Sequence, residues 1–138
     1  MTDVALALIR RGDRWFLQRR DPGNPVLPGL WEFPGGKSEV GERPTQTLER
    51  ELLEEVGLTL RAAQPWPVIE GNVRLHPFLT EVDGTPRTGL AWGWFTVEEM
   101  LRLAIPPMND ALVARLAHDF RVQEQDGSAG PGGSILPI

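Results

Sequence analysis

Residues 36–58 read GKSEVGERPTQTLERELLEEVGL, directly after Pro34-Gly35. Pro44 suits the first turn of a helix, where its missing N–H costs nothing. From there to Val56 nothing breaks a helix, and Gly57 is a natural stop. Glu51, Glu54 and Glu55 are spaced i, i+3, i+4 and share one face. Leu48, Leu52 and Val56 form a second stripe at i, i+4, i+8. At about 100° per residue the stripes lie side by side, so the helix buries its leucines while holding three carboxylates at the rim of a cleft. Like charges at these spacings repel, and a hard divalent cation relieves that. Mg²⁺ prefers carboxylate oxygens, keeps several waters and is completed by substrate phosphates. Arg50 stands one turn before Glu54, placed to hold it as an i, i+4 pair. An arbitrary E-x-x-E-E is most often a solvated acidic face. Here Glu42, Arg50 and a glycine at each end accompany it, which favours the metal.

The stretch resembles the Nudix box, G-x5-E-x7-R-E-U-x-E-E-x-G-U with U aliphatic, and every specified position is filled. The resemblance implies an α/β/α Nudix sandwich and metal-dependent hydrolysis of a nucleoside diphosphate linked to X. It implies Mg²⁺, with Mn²⁺ as the alternative, on the Gly35 carbonyl, Glu51, Glu54 and Glu55. The catalytic set would be Glu51, Glu54 and Arg50.

The rest of the chain is organised around this helix. Val4–Arg10 and Arg14–Arg19 read as a hairpin about Arg11-Gly12-Asp13. Residues 21–29 hold three prolines and two glycines and form a loop bordering the cleft. Leu30–Phe33 is a short strand feeding the glycine turn. Leu58–Ala62 is a strand, Val68–Val82 is one or two strands with a turn near Gly71-Asn72, and Leu90–Phe95 is a strand. Thr96–Glu99 has the capping-box form and starts a short helix reaching about Leu103. Asn109 or Asp110 caps a last helix whose apolar positions are Ala111, Leu112, Ala114, Leu116, Ala117 and Phe120. This pattern predicts a mixed sheet between helical layers, an α/β (α+β) domain over residues 1–122. Residues 123–138, rich in Gly, Ser and Pro, form a linker-like tail.

The 138 residues suffice for one core. Without cysteine there is no disulfide framework or thiolate site. Net charge is −5, with six of nineteen acids between Glu39 and Glu55. An acidic chain is a poor binder of nucleic-acid backbone, so no nucleic-acid polymer is expected as a partner. A polyphosphate ligand needs bound cations to reverse the local field. The early apolar run, Val4–Ile9, is too short to span a membrane. These features fit a cytoplasmic protein, monomer or homodimer, acting on a small nucleotide.

Flanking matches sharpen the resemblance. Phe16–Arg20, Gly29–Lys37 and Ile105–Asp110 with Val113–Leu116 look like the MutT-type branch, which hydrolyses damaged nucleoside triphosphates such as 8-oxo-dGTP to monophosphate and pyrophosphate. Carried over, Arg20, Glu32, Phe33, Pro34, Gly35 and Asn109 would meet the nucleotide. Each keeps a plainer alternative: Asn109 as an N-cap, Arg20 as a solvated cation, Phe33 as core. Trp92 and Trp94 alternate on a strand, one facing the core, and a tryptophan in the pocket would stack a base. MutT relatives often carry an acid or histidine in the loop before this strand. Thr88-Gly89-Leu90-Ala91 offers neither, so the general base falls to a box glutamate or an acid elsewhere. His76 reads as structural. Two further readings stay open: a Nudix hydrolase of a nucleotide sugar, ADP-ribose or dinucleoside polyphosphate, and a non-catalytic nucleotide-binding module.

Overall fold

A computed structural model describes the backbone of residues 1–125 and the side chains through Phe120. Eight strands and three helices follow in order: β1 (Asp3–Arg11), β2 (Arg14–Arg19), β3 (Trp31–Glu32), β4 (Gly35–Lys37), α1 (Pro44–Val56), β5 (Thr59–Pro65), β6 (Ile69–Glu70), β7 (Arg74–Asp83), β8 (Trp92–Phe95), α2 (Val97–Met100), a 3-10 turn (Pro107–Asn109) and α3 (Asp110–Gln125). Most of the tail expected after residue 122 lies outside the described residues.

The strands form one mixed sheet, with β1 and β7 parallel and the other pairs antiparallel. Helices cover both faces. Leu48, Leu52 and Val56 of α1 pack on Ala5, Ala7, Ile9, Phe16 and Phe78. On the other face, Leu112, Val113 and Leu116 of α3 pack with α2 on Leu6, Leu8, Trp15 and Leu17. This is the expected α/β/α sandwich. Because both faces of β1 are covered, Ala5 to Ile9 are buried without a break, which is why its alternation is weak in the sequence.

The box helix has the expected ends. The Arg43 amide donates to the Gln46 side chain, Pro44 opens the first turn, and Gly57 closes the helix in the left-handed region at φ 68°. Leu48, Leu52 and Val56 are fully buried, each worth roughly 1.5–3 kcal/mol against exposure.

At its far end β1 pairs with β2 through Arg10 and Arg11. At its near end, Val4 to Leu6, it pairs instead with β4. The sheet therefore splays, and the glycine strand fills the split beneath α1. Only glycine fits at position 35: φ is +152°, and a Cβ would lie 1.9 Å from the Ala5 carbonyl oxygen.

Several details differ from the sequence reading. α2 stops at Met100 and continues as a tighter turn, with Arg102 N–H on the Glu99 carbonyl and Leu103 N–H on that of Met100. Ala111 and Ala114 are exposed and Val113 is buried, so the inner face of α3 is rotated from the expected one. The Trp92/Trp94 expectation is corrected in part. Residues two apart on a strand share a face, and both rings meet Phe16 on the α1 side, Trp92 tilted at 5.7 Å and Trp94 edge-on at 5.5 Å; Trp94 packs on the core and Trp92 stays exposed.

Candidate functional site

Glu51 projects from α1 onto β4. A Cβ on Gly36 would fall 2.4 Å from the Glu51 carboxyl carbon and 2.7 Å from both its oxygens. The second glycine thus leaves the space that the Glu51 carboxylate occupies. One turn on, Glu55 Oε1 accepts from the Gln18 side-chain amide at 2.7 Å and from Gly35 N–H at 3.3 Å. Glu54, on the same face, is the most exposed of the three.

Arg50 organises this face more broadly than an i, i+4 pair. Its strongest bonds go to Glu42, Nε to Oε2 at 2.6 Å and NH2 to Oε1 at 3.0 Å. It also reaches Glu51 at 2.9 Å, Glu54 at 3.2 Å and the Lys37 carbonyl at 3.1 Å. The Arg50 guanidinium is the main reason the Glu42 carboxyl is held down at about 2, aided by Glu39 N–H and Thr47. Arg50 itself is raised, foremost by Glu42. The eight-residue spacing between Glu42 and Arg50 therefore has a mechanical meaning: it closes the box loop onto the helix. Ser38 and buried Thr47, 2.6 Å apart, close it from the other side.

Glu55 is shifted the other way, up to about 7. Burial is the main cause, and the nearby charges of Glu51 and Glu32 add to it, against the donors Gly35 N–H and Gln18. Carboxylates on one helix face are the donor type a hard divalent cation takes, and a cation there would favour their ionised forms. Among the described residues no three acidic, His or Cys side chains converge into a ready-made coordination cage. Arg50 ties up Glu51 and Glu54 instead.

A cleft of about 460 Å³ lies on the α3 side of the splayed sheet. Val4, Leu6 and Leu75 floor it, the 3-10 turn walls it, and Arg20, Glu32, Asn72 and Asn109 give it polar edges. Glu32 lines the cleft. Arg20 NH2 donates to both Glu32 oxygens, at 3.0 and 2.9 Å. Arg20 Nε is buried without a partner, a donor left for an acceptor.

The expected substrate residues divide. Arg20, Glu32 and Asn109 come together on the cleft. Asn109 ends the 3-10 turn directly before α3, only 6% exposed, and its side-chain amide has no protein hydrogen bond among the described residues. Phe33 is 2% exposed within the α3-side core, so its ring does not line the cleft. Pro34 is buried and its carbonyl accepts from Ala7 N–H, so it belongs to the sheet. Neither tryptophan lines the cleft. His76 shares the Asp3 carboxylate with Arg74, both at 2.8 Å, a structural ion pair.

Sequence reasoning missed Gln18, Thr88 and Asn72. Gln18 carried a signal: it shares the parity of Phe16 on β2, a face the helix covers, so a polar residue there needed a partner. Asn72 read only as a turn residue.

Comparison with known proteins agrees with this fold. A family model described as the NUDIX domain matches residues 1–116. An Escherichia coli 8-oxo-dGTP diphosphatase is 30% identical over 121 residues, covering 82% of this chain and 94% of that protein. An E. coli CTP pyrophosphohydrolase is 45% identical over 121 residues, covering 82% and 89%. A solved MutT structure, from work on Aliivibrio salmonicida and Vibrio cholerae, superposes with TM-score 0.78 at 28% identity over 86% of this chain and 98% of that one.

Proposed function

The chain belongs to the Nudix family, on its MutT-like side, and is a Nudix hydrolase; from that premise we propose that it is a divalent-metal-dependent nucleoside triphosphate pyrophosphohydrolase, releasing nucleoside monophosphate and pyrophosphate in the cytoplasmic nucleotide pool. The observation that carries this reading is the box face of α1, where Gly36 leaves room for the Glu51 carboxylate and Arg50 ties Glu51 and Glu54 to the box loop.

The Gly35 carbonyl, Glu51, Glu54 and Glu55 would hold Mg²⁺ or Mn²⁺, which would supply charge compensation at the phosphates and acidify water. The protein does the rest by position. Gly36 leaves room for the Glu51 carboxylate, and Gly35 N–H and Gln18 fix Glu55. Arg50 ties Glu51 and Glu54 to the box loop. A box glutamate takes the proton of the attacking water. Glu51 lies lodged between Gly36 and Arg50, and Glu54 is the most exposed of the three. In the cleft, the Asn109 amide presents a donor and an acceptor to a base edge, and Arg20 lines the same space.

For the base, an oxidised purine such as that of 8-oxo-dGTP is the first candidate, supported by the diphosphatase relatives. Cytosine is the second, favoured by the 45% identity to a CTP pyrophosphohydrolase. The test is a comparison of kcat/KM for 8-oxo-dGTP, dGTP, CTP and dCTP with Mg²⁺, alongside ADP-ribose and a dinucleoside polyphosphate. A triphosphate at least tenfold ahead upholds the proposal and selects the base. Preference for ADP-ribose or the dinucleotide overturns it.

A further inference from the structure

Gln18 is 1% exposed on the α1 face of β2, where its neighbours Phe16, Ala5 and Ala7 are apolar. A leucine would fill this space without desolvating an amide. The amide is instead part of a directed chain of hydrogen bonds. Leu90 N–H donates to Thr88 Oγ1 at 3.1 Å, and Thr88 Oγ1 donates to Gln18 Oε1 at 3.2 Å. Gln18 Nε2 then donates to Glu55 Oε1 at 2.7 Å. Each link fixes the next. The backbone donor turns the threonine proton toward Gln18, and that proton fixes the amide with its oxygen away from the carboxylate and its NH₂ toward it. Gly35 N–H, from the opposite side, donates to the same carboxylate oxygen. Oε1 of Glu55 is thereby occupied by two donors, and Oε2 has no protein donor among the described residues.

We infer that Thr88 and Gln18 are positioning residues that make Glu55 a one-oxygen ligand, presenting only Oε2 to the divalent cation. The inference rests on the metal site proposed above. Outer partners that orient a ligand typically change metal affinity or activity about 10–100-fold when lost. The effect acts on Glu55 and leaves the nucleoside cleft untouched, since neither Gln18 nor Thr88 lines it.

The test is Mn²⁺ titration of metal-free protein, read by electron paramagnetic resonance at one fixed alkaline pH. Wild type is compared with Gln18→Leu, Thr88→Val and Thr88→Ser, with melting temperature and the KM and kcat split measured alongside. Gln18→Leu is expected to bind Mn²⁺ about 10–100-fold more weakly. Thr88→Val is expected to weaken it about fivefold, the worth of one ordinary hydrogen bond, and Thr88→Ser to restore it. KM for the nucleotide stays unchanged while kcat falls. A purely structural glutamine would lower the melting temperature of Gln18→Leu and leave Mn²⁺ affinity alone. The inference is overturned if Gln18→Leu and Thr88→Val both bind Mn²⁺ within twofold of wild type. Should Gln18→Leu not fold, the Thr88→Val and Thr88→Ser pair decides by the same criterion. Wild type that binds Mn²⁺ but cleaves no nucleotide sinks the hydrolase proposal, and the affinity ratios still judge the relay. Wild type that binds no Mn²⁺ overturns the relay.

Discussion

Gly36→Ala separates function from folding at one methyl group. A Cβ at position 36 would lie 2.4 Å from the Glu51 carboxyl carbon, where ordinary contact begins near 3.4 Å. The carboxylate must therefore retreat by about 1 Å. The obstacle is the free end of a side chain, and φ at Gly36 is not in the left-handed region, so the backbone accepts alanine. Alanine also restricts the unfolded chain, a gain of about 0.4–1 kcal/mol that offsets the strain. The melting temperature should stay level or rise slightly. A misplacement of about 1 Å at a reacting centre costs on the order of 10²-fold in rate, or about 2.7 kcal/mol of barrier. The contrast is Gly35→Ala, whose Cβ would meet the Ala5 carbonyl oxygen at 1.9 Å with φ at +152°. There the obstacle is backbone, and β4 must part from β1, so loss of fold is expected. The assay is Mg²⁺-dependent pyrophosphate release for each variant beside its thermal melt. A Gly36→Ala enzyme within twofold of wild type, melting normally, would refute the placement of Glu51 over this glycine.

Other outcomes follow from the same contacts. Asn109→Leu should raise KM about tenfold or more and blur the choice of base, since a bidentate amide contact is worth about 1–3 kcal/mol; unchanged selectivity would return Asn109 to the plain wall of the turn. Arg50→Lys keeps the charge but cannot hold Glu42 through two nitrogens while reaching Glu51; both the melting temperature and kcat should fall, and a loss in neither would remove Arg50 from the site. For pH, the Glu55 carboxyl is raised from 4.5 to about 7 in the metal-free protein. The folded state thus binds the proton more tightly than the unfolded one. That contribution, about 3 kcal/mol, is fully present below pH 4.5 and lost as pH rises through about 7. A cation competes with the same proton, so apparent Mg²⁺ affinity should rise with pH up to about 7 and then level off. Calorimetric titration across this range in wild type and Glu55→Gln checks it, and a flat wild-type profile would contradict it.

The box helix was legible to the residue because its signals are local. Pro44 and Gly57 mark its ends, and the leucine and glutamate stripes mark its two faces. The hairpin of β1 and β2 and the capped start of α2 were legible for the same reason. What escaped depends on partners far along the chain. Gln18 meets Glu55 across 37 residues and Thr88 across 70, separations at which no periodicity speaks. Asn109 read equally well as a cap because its chemistry suits both roles, and residue type alone does not choose between them. Phe33 and Pro34 adjoin a glycine pair that reads as a turn but forms strand β4, and the pairing that places Gly35 under α1 turns both into the interior.

The most direct measurement is pyrophosphate and orthophosphate release from the preferred triphosphate, with Mg²⁺ and with EDTA, in wild type and Glu54→Gln side by side. The expected result is pyrophosphate with monophosphate in equal amounts, abolished by EDTA and reduced on the order of 10³-fold by the substitution. Orthophosphate as the product, turnover that survives EDTA, or a Glu54→Gln enzyme as fast as wild type would contradict the assignment of the box carboxylates to a metal that acts on the phosphate chain.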